Sequence, residues 1–406
     1  MNAIDALPER PSHAVGQLAP ILAIVFVGFL LTGVALPVLP LHVHQGLGFG
    51  TFFVGLVTGS PFAAALLTRM WAGRFADTRG AKRAVIVGMC ASSLAGLLYL
   101  ASLAFMEAPA VSGALLLLGR FVLGAGESFI ITGALGWGVT LCGAQHTGKV
   151  MAWMGTAMYA ALAAGAPAGT WLFTHQGFAG IAWATLALPL ATLLLLTRVA
   201  PVPPATDAQP RFTAVLRAVW VPGLGLALTS LGFGAITGFV ALLFASRMWT
   251  PVWPPFTAFA LCFMLARVLL GHRVDRLGGP RVALVSIVIE VAGQALLWRA
   301  SSPAWAVGGA ALTGLGYSLV YPGFGVEAVR RAPPQSRALA MGAYTACLDL
   351  ALGVGTPALG AVASQWGLGS VFLASTVTVA MAALIAVKLL GEGRTADVIP
   401  APRESA

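Results

Sequence analysis

Apolar runs long enough to cross a bilayer recur along this chain from residue 18 to residue 390, and that recurrence constrains the fold more than any other feature. A run of ~17–25 residues, coiled as α-helix, reaches across a hydrocarbon core about 30 Å thick. The runs read as spans over residues 18–40, 51–72, 84–106, 111–138, 148–173, 177–199, 217–244, 250–271, 282–300, 304–326, 337–363 and 367–390. Only 9% of the 406 residues are charged and 58% are hydrophobic, whereas a soluble domain carries about 25% charged residues. So few charges cannot clothe a water-facing surface, and the missing polar surface faces lipid. The expected fold is an all-α integral membrane protein of twelve transmembrane helices.

The net charge is +10. The basic residues do not cluster in one polar domain, as nucleic-acid binding requires. They recur in short loops between the runs, where they act as topology signals. Placing the N-terminus inside assigns every Lys and Arg except Arg120, Arg247 and Arg299 to the cytoplasmic side or its helix ends. The opposite loops carry His42, His44, Glu107 and His175 instead. Both termini are then cytoplasmic, which requires an even number of spans. Trp171, Trp183, Trp249, Trp253, Trp305 and Trp366 fall near the outer ends of spans, as an interfacial aromatic belt does. The N-terminal segment, 1–17, is polar and contains Asp5 and Glu9, so it does not read as a cleavable signal. One long Pro-rich interruption, APVPPATDAQPRFTAVL (200–216), reads as a cytoplasmic linker between a first half, 18–199, and a second half, 217–390. A polar cytoplasmic tail, 391–406, follows.

The halves repeat one another. Leu67, Arg69, Gly73, Asp77, Gly80 and Arg83 have identical counterparts at Leu265, Arg267, Gly271, Asp275, Gly278 and Arg281, always 198 positions later. A weaker echo, 190 positions apart, joins Gly124-Ala-Gly126-Glu127-Ser128 to Gly314-Leu-Gly316-Tyr317-Ser318, and Gly165-Ala-Pro167 to Gly355-Thr-Pro357. Two parallel six-helix halves follow, related by an axis along the membrane normal. The loop GRFADTRGAKR (73–83) resembles the G-x-x-x-D-R/K-x-G-R/K-R/K signature of the major facilitator superfamily, and GHRVDRLGGPR (271–281) resembles its second-half counterpart. Thr78 and Ala81 depart from the signature in the first loop, whereas Arg276 and Arg281 keep the second closer to it. The stretch 116–138 further resembles the bacterial YhhS-type, arabinose-efflux-permease-like group.

Gly80 suits a tight turn because glycine tolerates positive φ, and Asp77 can accept hydrogen bonds from a helix N-terminus. The resemblance implies that Asp77 docks on the helix beginning near Arg337 when the cytoplasmic gate shuts, and Asp275 on the helix beginning near Lys149. Gly73, Lys82, Arg83, Gly271, Arg276, Gly278 and Arg281 complete these gating loops.

Arg120, Gly124 and Glu127 share one face of the fourth span. Ionisable residues deep in a span are costly and usually face a cavity or a partner. The resemblance implies that this helix lines a central cavity, where Arg120 binds an anion or tunes a carboxylate and Glu127 binds substrate or a proton. Asp349 in the eleventh span and Glu290 in the ninth lack basic neighbours in sequence, and a carboxyl away from water can hold a proton near neutrality. Tyr317 and Tyr344 either line the cavity or pack helices. Gly165, Pro167, Gly169 and Pro357 are candidate helix kinks.

No nucleotide-binding loop, nucleophile–base pair or metal-ligand spacing occurs, and the four cysteines fall in different runs, so neither an enzyme nor a cofactor is expected. The resemblance implies a secondary transporter in a bacterial inner membrane. It most favours proton-coupled efflux of a small organic compound by alternating access. The alternatives are proton symport importing a small sugar or organic anion, and a non-transporting membrane receptor. The expected partners are a small-molecule substrate, protons and lipid, with the chain monomeric.

Overall fold

The computed structural model describes residues 11–143, 146–196, 202, 212–332 and 336–398. Among these, every regular element is helical. Twelve long helices, of 17 to 35 residues, run α1 (Pro11–Ala35), α2 (Thr51–Arg79), α3 (Ala81–Ala104), α4 (Pro109–Cys142), α5 (Thr147–Gln176), α6 (Phe178–Leu196), α7 (Phe212–Ser246), α8 (Pro254–Leu270), α9 (Gly279–Trp298), α10 (Pro303–Arg331), α11 (Arg337–Trp366) and α12 (Leu368–Val398). Helix is the form that satisfies each backbone N–H and C=O within its own segment, which lipid demands. Nine described helices are long and apolar enough to cross a membrane by hydropathy alone. The surface is studded with exposed apolar side chains, among them Leu194 at 73%, Leu384 at 71% and Trp71 at 72% exposure. Such a surface belongs in lipid.

The helices overrun the apolar runs. α2 continues through Arg79, so most of the 73–83 segment is helix rather than loop. α7 begins at Phe212, inside the stretch assigned to the linker, and α12 extends to Val398, inside the assigned tail. Hydropathy marks only the lipid layer, while a helix keeps its hydrogen bonds in water too. Residues 1–10, most of the linker and 399–406 lie outside the described residues. The first run is not one helix. The chain turns at Leu36–Val38, around Pro37, and resumes as a short helix (Leu39–Leu41) and a π-helical turn (His42–Gly46). The eighth helix starts at Pro254, four residues later than expected, where a proline can open a helix without losing a bond.

Packing repeats the duplication seen in sequence. α3 packs on α4 as α9 packs on α10, α1 on α5 as α7 on α11, and α3 on α6 as α9 on α12. The contacts match residue by residue. A Cβ at Gly124 would collide with Pro61 O, and one at Gly314 with Phe259 O, the residue 198 positions after Pro61. Likewise a Cβ at Gly126 would stand 2.8 Å from Gly88 O, and one at Gly316 2.5 Å from Ser286 O. Small residues here let backbones approach, the usual way to bind helices together in lipid.

The halves meet along two seams, α2 against α11 and α5 against α8. At the end distant from the basic loops, Thr51 Oγ1 donates to Gly360 O (2.8 Å) and Thr257 Oγ1 donates to Ala163 O (2.9 Å). Gly55 lies against Thr356 and Pro357, and Gly59 against Leu352. The distal end is therefore closed by close backbone contact.

Candidate functional site

Polar side chains buried in a span are the exceptions that need a purpose or a partner. In the first half they gather around α4. Arg120 is 2% exposed. Its Nε donates to Val57 O of α2 at 3.4 Å, and its Nη1 has no hydrogen-bond partner. Glu127, two turns along the same helix, accepts a hydrogen bond from the Thr32 hydroxyl of α1. The Tyr99 hydroxyl of α3 is buried here, also without a partner by hydrogen-bond geometry. Arg120 and Glu127 do not pair directly, but each lies within electrostatic reach of the other.

The second half holds a different arrangement. Glu290 on α9 is fully buried, and neither carboxyl oxygen has a hydrogen-bond partner. One turn on, Gln294 is fully engaged: its Nε2 donates to Gly232 O and to Thr313 Oγ1, and its Oε1 accepts from Ser375. Tyr317 shares a hydrogen bond with Ser230 Oγ at 3.0 Å, and the Tyr344 hydroxyl donates to Tyr321 O at 2.8 Å. Both tyrosines tie helices of this half together. Glu327, near the basic end of α10, pairs with Arg330 at 2.8 Å.

Asp349 has a partner that sequence proximity hides. Arg69 of α2, 280 residues away, places its guanidinium on Asp349 Oδ2, with Nε at 2.9 Å. This ion pair bridges the two halves at the basic edge of the α2–α11 seam. Its duplicate, Arg267 on α8, was legible only as a repeated basic residue. It lies beside the α5–α8 seam. Nη2 donates to Ser318 O at 3.0 Å, and the guanidinium carbon stands 5.3 Å from the centroid of the Phe263 ring. Phe263 in turn stacks on Tyr159 of α5 at 3.5 Å.

In the gating loops, Gly80 adopts φ +95° and Gly278 φ +83°, the region glycine enters freely. The two loops are not alike. Asp77 is half-buried on the continuous end of α2, whereas Asp275 and Arg276 are exposed on a separate short helix (Arg273–Leu277) that follows the end of α8 at Gly271. Gly73 has open space where a side chain would stand. Lys82, Arg83 and Arg281 flank the turns.

Among the candidate kink positions Gly165, Pro167, Gly169 and Pro357, the two glycines and Pro357 also sit at helix contacts. α5 and α11 run unbroken through all four positions. A Cβ at Gly165 would meet Gly33 backbone at 2.6 Å, and one at Gly169 would collide with Val34 O, so these glycines seat α1 on α5. Pro357 Cα lies 2.8 Å from a Cβ at Gly55, within the α2–α11 seam. Among the described residues no group of three or more His, Cys, Asp or Glu is placed to hold a metal.

Comparison with known proteins places this geometry. The model of the Major Facilitator Superfamily matches residues 21–255 and again 253–406. An MFS-type transporter of Pseudomonas aeruginosa (strain LESB58) is 42% identical over 377 residues, covering 91% of this chain and 94% of that protein. An MFS-type transporter of Burkholderia mallei (strain SAVP1) is 41% identical over 387 residues, covering 93% and 94%. The crystal structure of the POT family transporter PepTSo superposes with a TM-score of 0.74, covering 97% of this chain and 100% of that one at 14% identity, a likeness of fold.

Proposed function

The chain belongs to the major facilitator superfamily, and from that premise we propose that it is a proton-coupled exporter of a small organic compound. Membership alone makes it a multi-pass membrane protein of a secondary-transporter family, which moves a small molecule rather than transforming it. The basic end of the bundle is read as cytoplasmic, in a bacterial inner membrane, because Lys and Arg concentrate on the inner face. With the distal end closed, this reading makes the structure a state sealed toward the outside.

The observation that carries the coupling is the Arg69–Asp349 ion pair between the halves. Opening the basic side by rocking pulls α2 from α11 at the edge where this pair lies and must part it. Protonating Asp349 removes its charge and with it the main attraction, so a proton taken from the acidic outer side favours the parted arrangement. Deprotonation toward the cytoplasm restores the pair. Glu127, hydrogen-bonded between α1 and α4 with Arg120 nearby, is a second proton site. Glu290 is a third, because a partnerless buried carboxyl is tolerated far better as the neutral acid. The efflux-permease-like stretch 116–138 supports export.

The test is flux in proteoliposomes of the purified monomer under an imposed pH gradient, run against a panel of small organic compounds. Protons moving opposite to substrate establish export by antiport. Co-directional movement establishes import by symport. Asp349→Asn is expected to keep substrate exchange and lose uphill transport. Full gradient-driven transport in Asp349→Asn, Glu127→Gln and Glu290→Gln alike refutes proton coupling through these groups. Thiol labelling of His44→Cys from outside intact cells checks the orientation.

A further inference from the structure

Arg267 differs from every other described arginine inside the bundle. Arg69 is neutralised by Asp349, and Arg120 has Glu127 within electrostatic reach. The ion pairs among the described residues are Arg69–Asp349, Arg330–Glu327, Arg331–Glu327 and Arg331–Glu392, and none includes Arg267. Its Nε is buried without a hydrogen-bond partner, and among the described residues one carbonyl, Ser318 O, accepts from its guanidinium. The residue is only partly buried, so its guanidinium is not wholly sealed among its neighbours.

The duplication explains the missing acid. Arg267 corresponds to Arg69 at the 198-residue offset. At the 190-residue offset that relates α5 to α11, Asp349 corresponds to Tyr159. Where one seam supplies a carboxylate, the other supplies a phenol. The surroundings of Arg267 are aromatic throughout. Tyr159, Tyr317, Tyr321 and Tyr344 all lie within electrostatic reach of the guanidinium. Phe263 stands beneath it and 6.0 Å from the Tyr317 ring. Phe233 and Phe259 extend the aromatic wall, with centroids 5.3 Å apart.

A cation in a low-dielectric setting without a counter-ion attracts one from outside. We propose that Arg267 is the anion-recognition point of the substrate site, and that the compound carried is a small organic anion with an aromatic or apolar body, its carboxylate or sulfonate on the free edge of the guanidinium and its ring against Phe263, Tyr317 and Phe233. The tyrosine hydroxyls around the guanidinium add polar partners. The inference rests on the transporter reading for its biological meaning, and it moves anion binding from Arg120 to the opposite half.

The experiment measures binding, without any gradient, so that it stands or falls separately from proton coupling. Purified protein in detergent is titrated with benzoate and naphthalene-1-sulfonate, with benzamide as the uncharged control, and thermal stabilisation is read. At least one anion is expected to stabilise the wild-type protein while benzamide does not. Arg267→Gln should weaken that anion's binding by about tenfold or more, the loss of a charge-assisted contact. Arg267→Lys should keep the preference for anion over amide, and Arg299→Gln, at an exposed arginine outside the site, should leave the affinity within about twofold. Absence of stabilisation by both anions, equal stabilisation by benzamide, or unchanged affinity in Arg267→Gln overturns the proposal. If Arg267→Gln does not fold, Arg267→Lys and the wild-type contrast decide it.

Discussion

Arg69 and Arg267 occupy the same place in two copies of one six-helix unit, yet only Arg69 meets a carboxylate. Each stands at the basic edge of a seam between the halves. The α2–α11 seam is sealed by an ion pair that spans it, whereas the α5–α8 seam is sealed by Tyr159 stacked on Phe263. The duplicated parts of the molecule are its scaffold: glycines that seat helices and glycines that turn loops. The loop charges Asp77 and Asp275 repeat as well, whereas the carboxylates within the spans diverge. Glu127 of the first half corresponds to Tyr317 of the second, and Ser92 to Glu290. Symmetry builds the bundle, and its departures mark where chemistry differs between the halves.

The largest effect tests the symmetric part. Gly124→Val and Gly314→Val each drive a branched side chain into a facing carbonyl, Pro61 O or Phe259 O. Overpacking costs about 1–3 kcal/mol, occasionally more, and backbone yields less than a side-chain tip. Both variants should lose most of the monodisperse protein by size-exclusion chromatography. Gly136→Val, with open space at its Cβ, should keep it. If one of the paired variants folds normally, the two halves are not packed alike.

A smaller effect tests the broken part. Asp349→Asn removes the charge that holds Arg69 across the first seam. Arg69 is 25% exposed and can turn to water, so the loss falls below the ~3–5 kcal/mol of a fully buried pair. About tenfold more labelling of Gly342→Cys from the basic side is expected, the mark of a seam that opens there more often. Tyr159→Phe removes a hydroxyl but no charge from the second seam, so its labelling should change by less than about twofold. Equal labelling in the two variants would mean that the ion pair holds nothing shut.

Much of the fold was legible because lipid leaves few options. Each apolar run had to be a helix, and the runs gave the order of all twelve long helices. Their ends were not legible, since α2, α7 and α12 continue beyond the lipid layer, where hydropathy carries no signal. The turn at Leu36–Val38 had a readable cue in Pro37 and Pro40, overridden by the apolar character of the run. Within the site, helical periodicity gave the shared face of Arg120 and Glu127. Partners set by tertiary packing stayed hidden: Thr32 for Glu127 and Arg69 for Asp349. Arg69 and Arg267 were visible as a repeat but were counted as topology charges. Their depth within apolar runs, a full turn before Gly73 and Gly271, was the signal that set them apart.

The smallest expected effect concerns the gating loops, where the halves differ in shape rather than in charge. Asp77 and Asp275 are duplicates, and the family resemblance assigns them the same docking role. Asp77 rides on the last turn of an unbroken α2, half-buried, so its position is fixed by a helix 29 residues long. Asp275 sits exposed on a separate five-residue helix that follows the end of α8. A carboxylate near the C-terminal end of its own helix opposes the helix dipole. Asp77→Asn therefore slightly favours α2 itself, and any loss of gating must come from what Asp77 contacts when the basic end closes. A charge at a facing helix N-terminus is worth ~0.3–1 kcal/mol when exposed, equivalent to about two- to fivefold in a two-state equilibrium. Asp77→Asn should shift the protein toward the state open at the basic end by that factor, read as faster thiol labelling of Gly342→Cys. Asp275→Asn should shift it by less than about twofold, because an exposed charge is screened by solvent more than half-buried Asp77. Equal shifts would show that the break after α8 is closed during docking, and a larger shift in Asp275→Asn would place the principal latch in the second half.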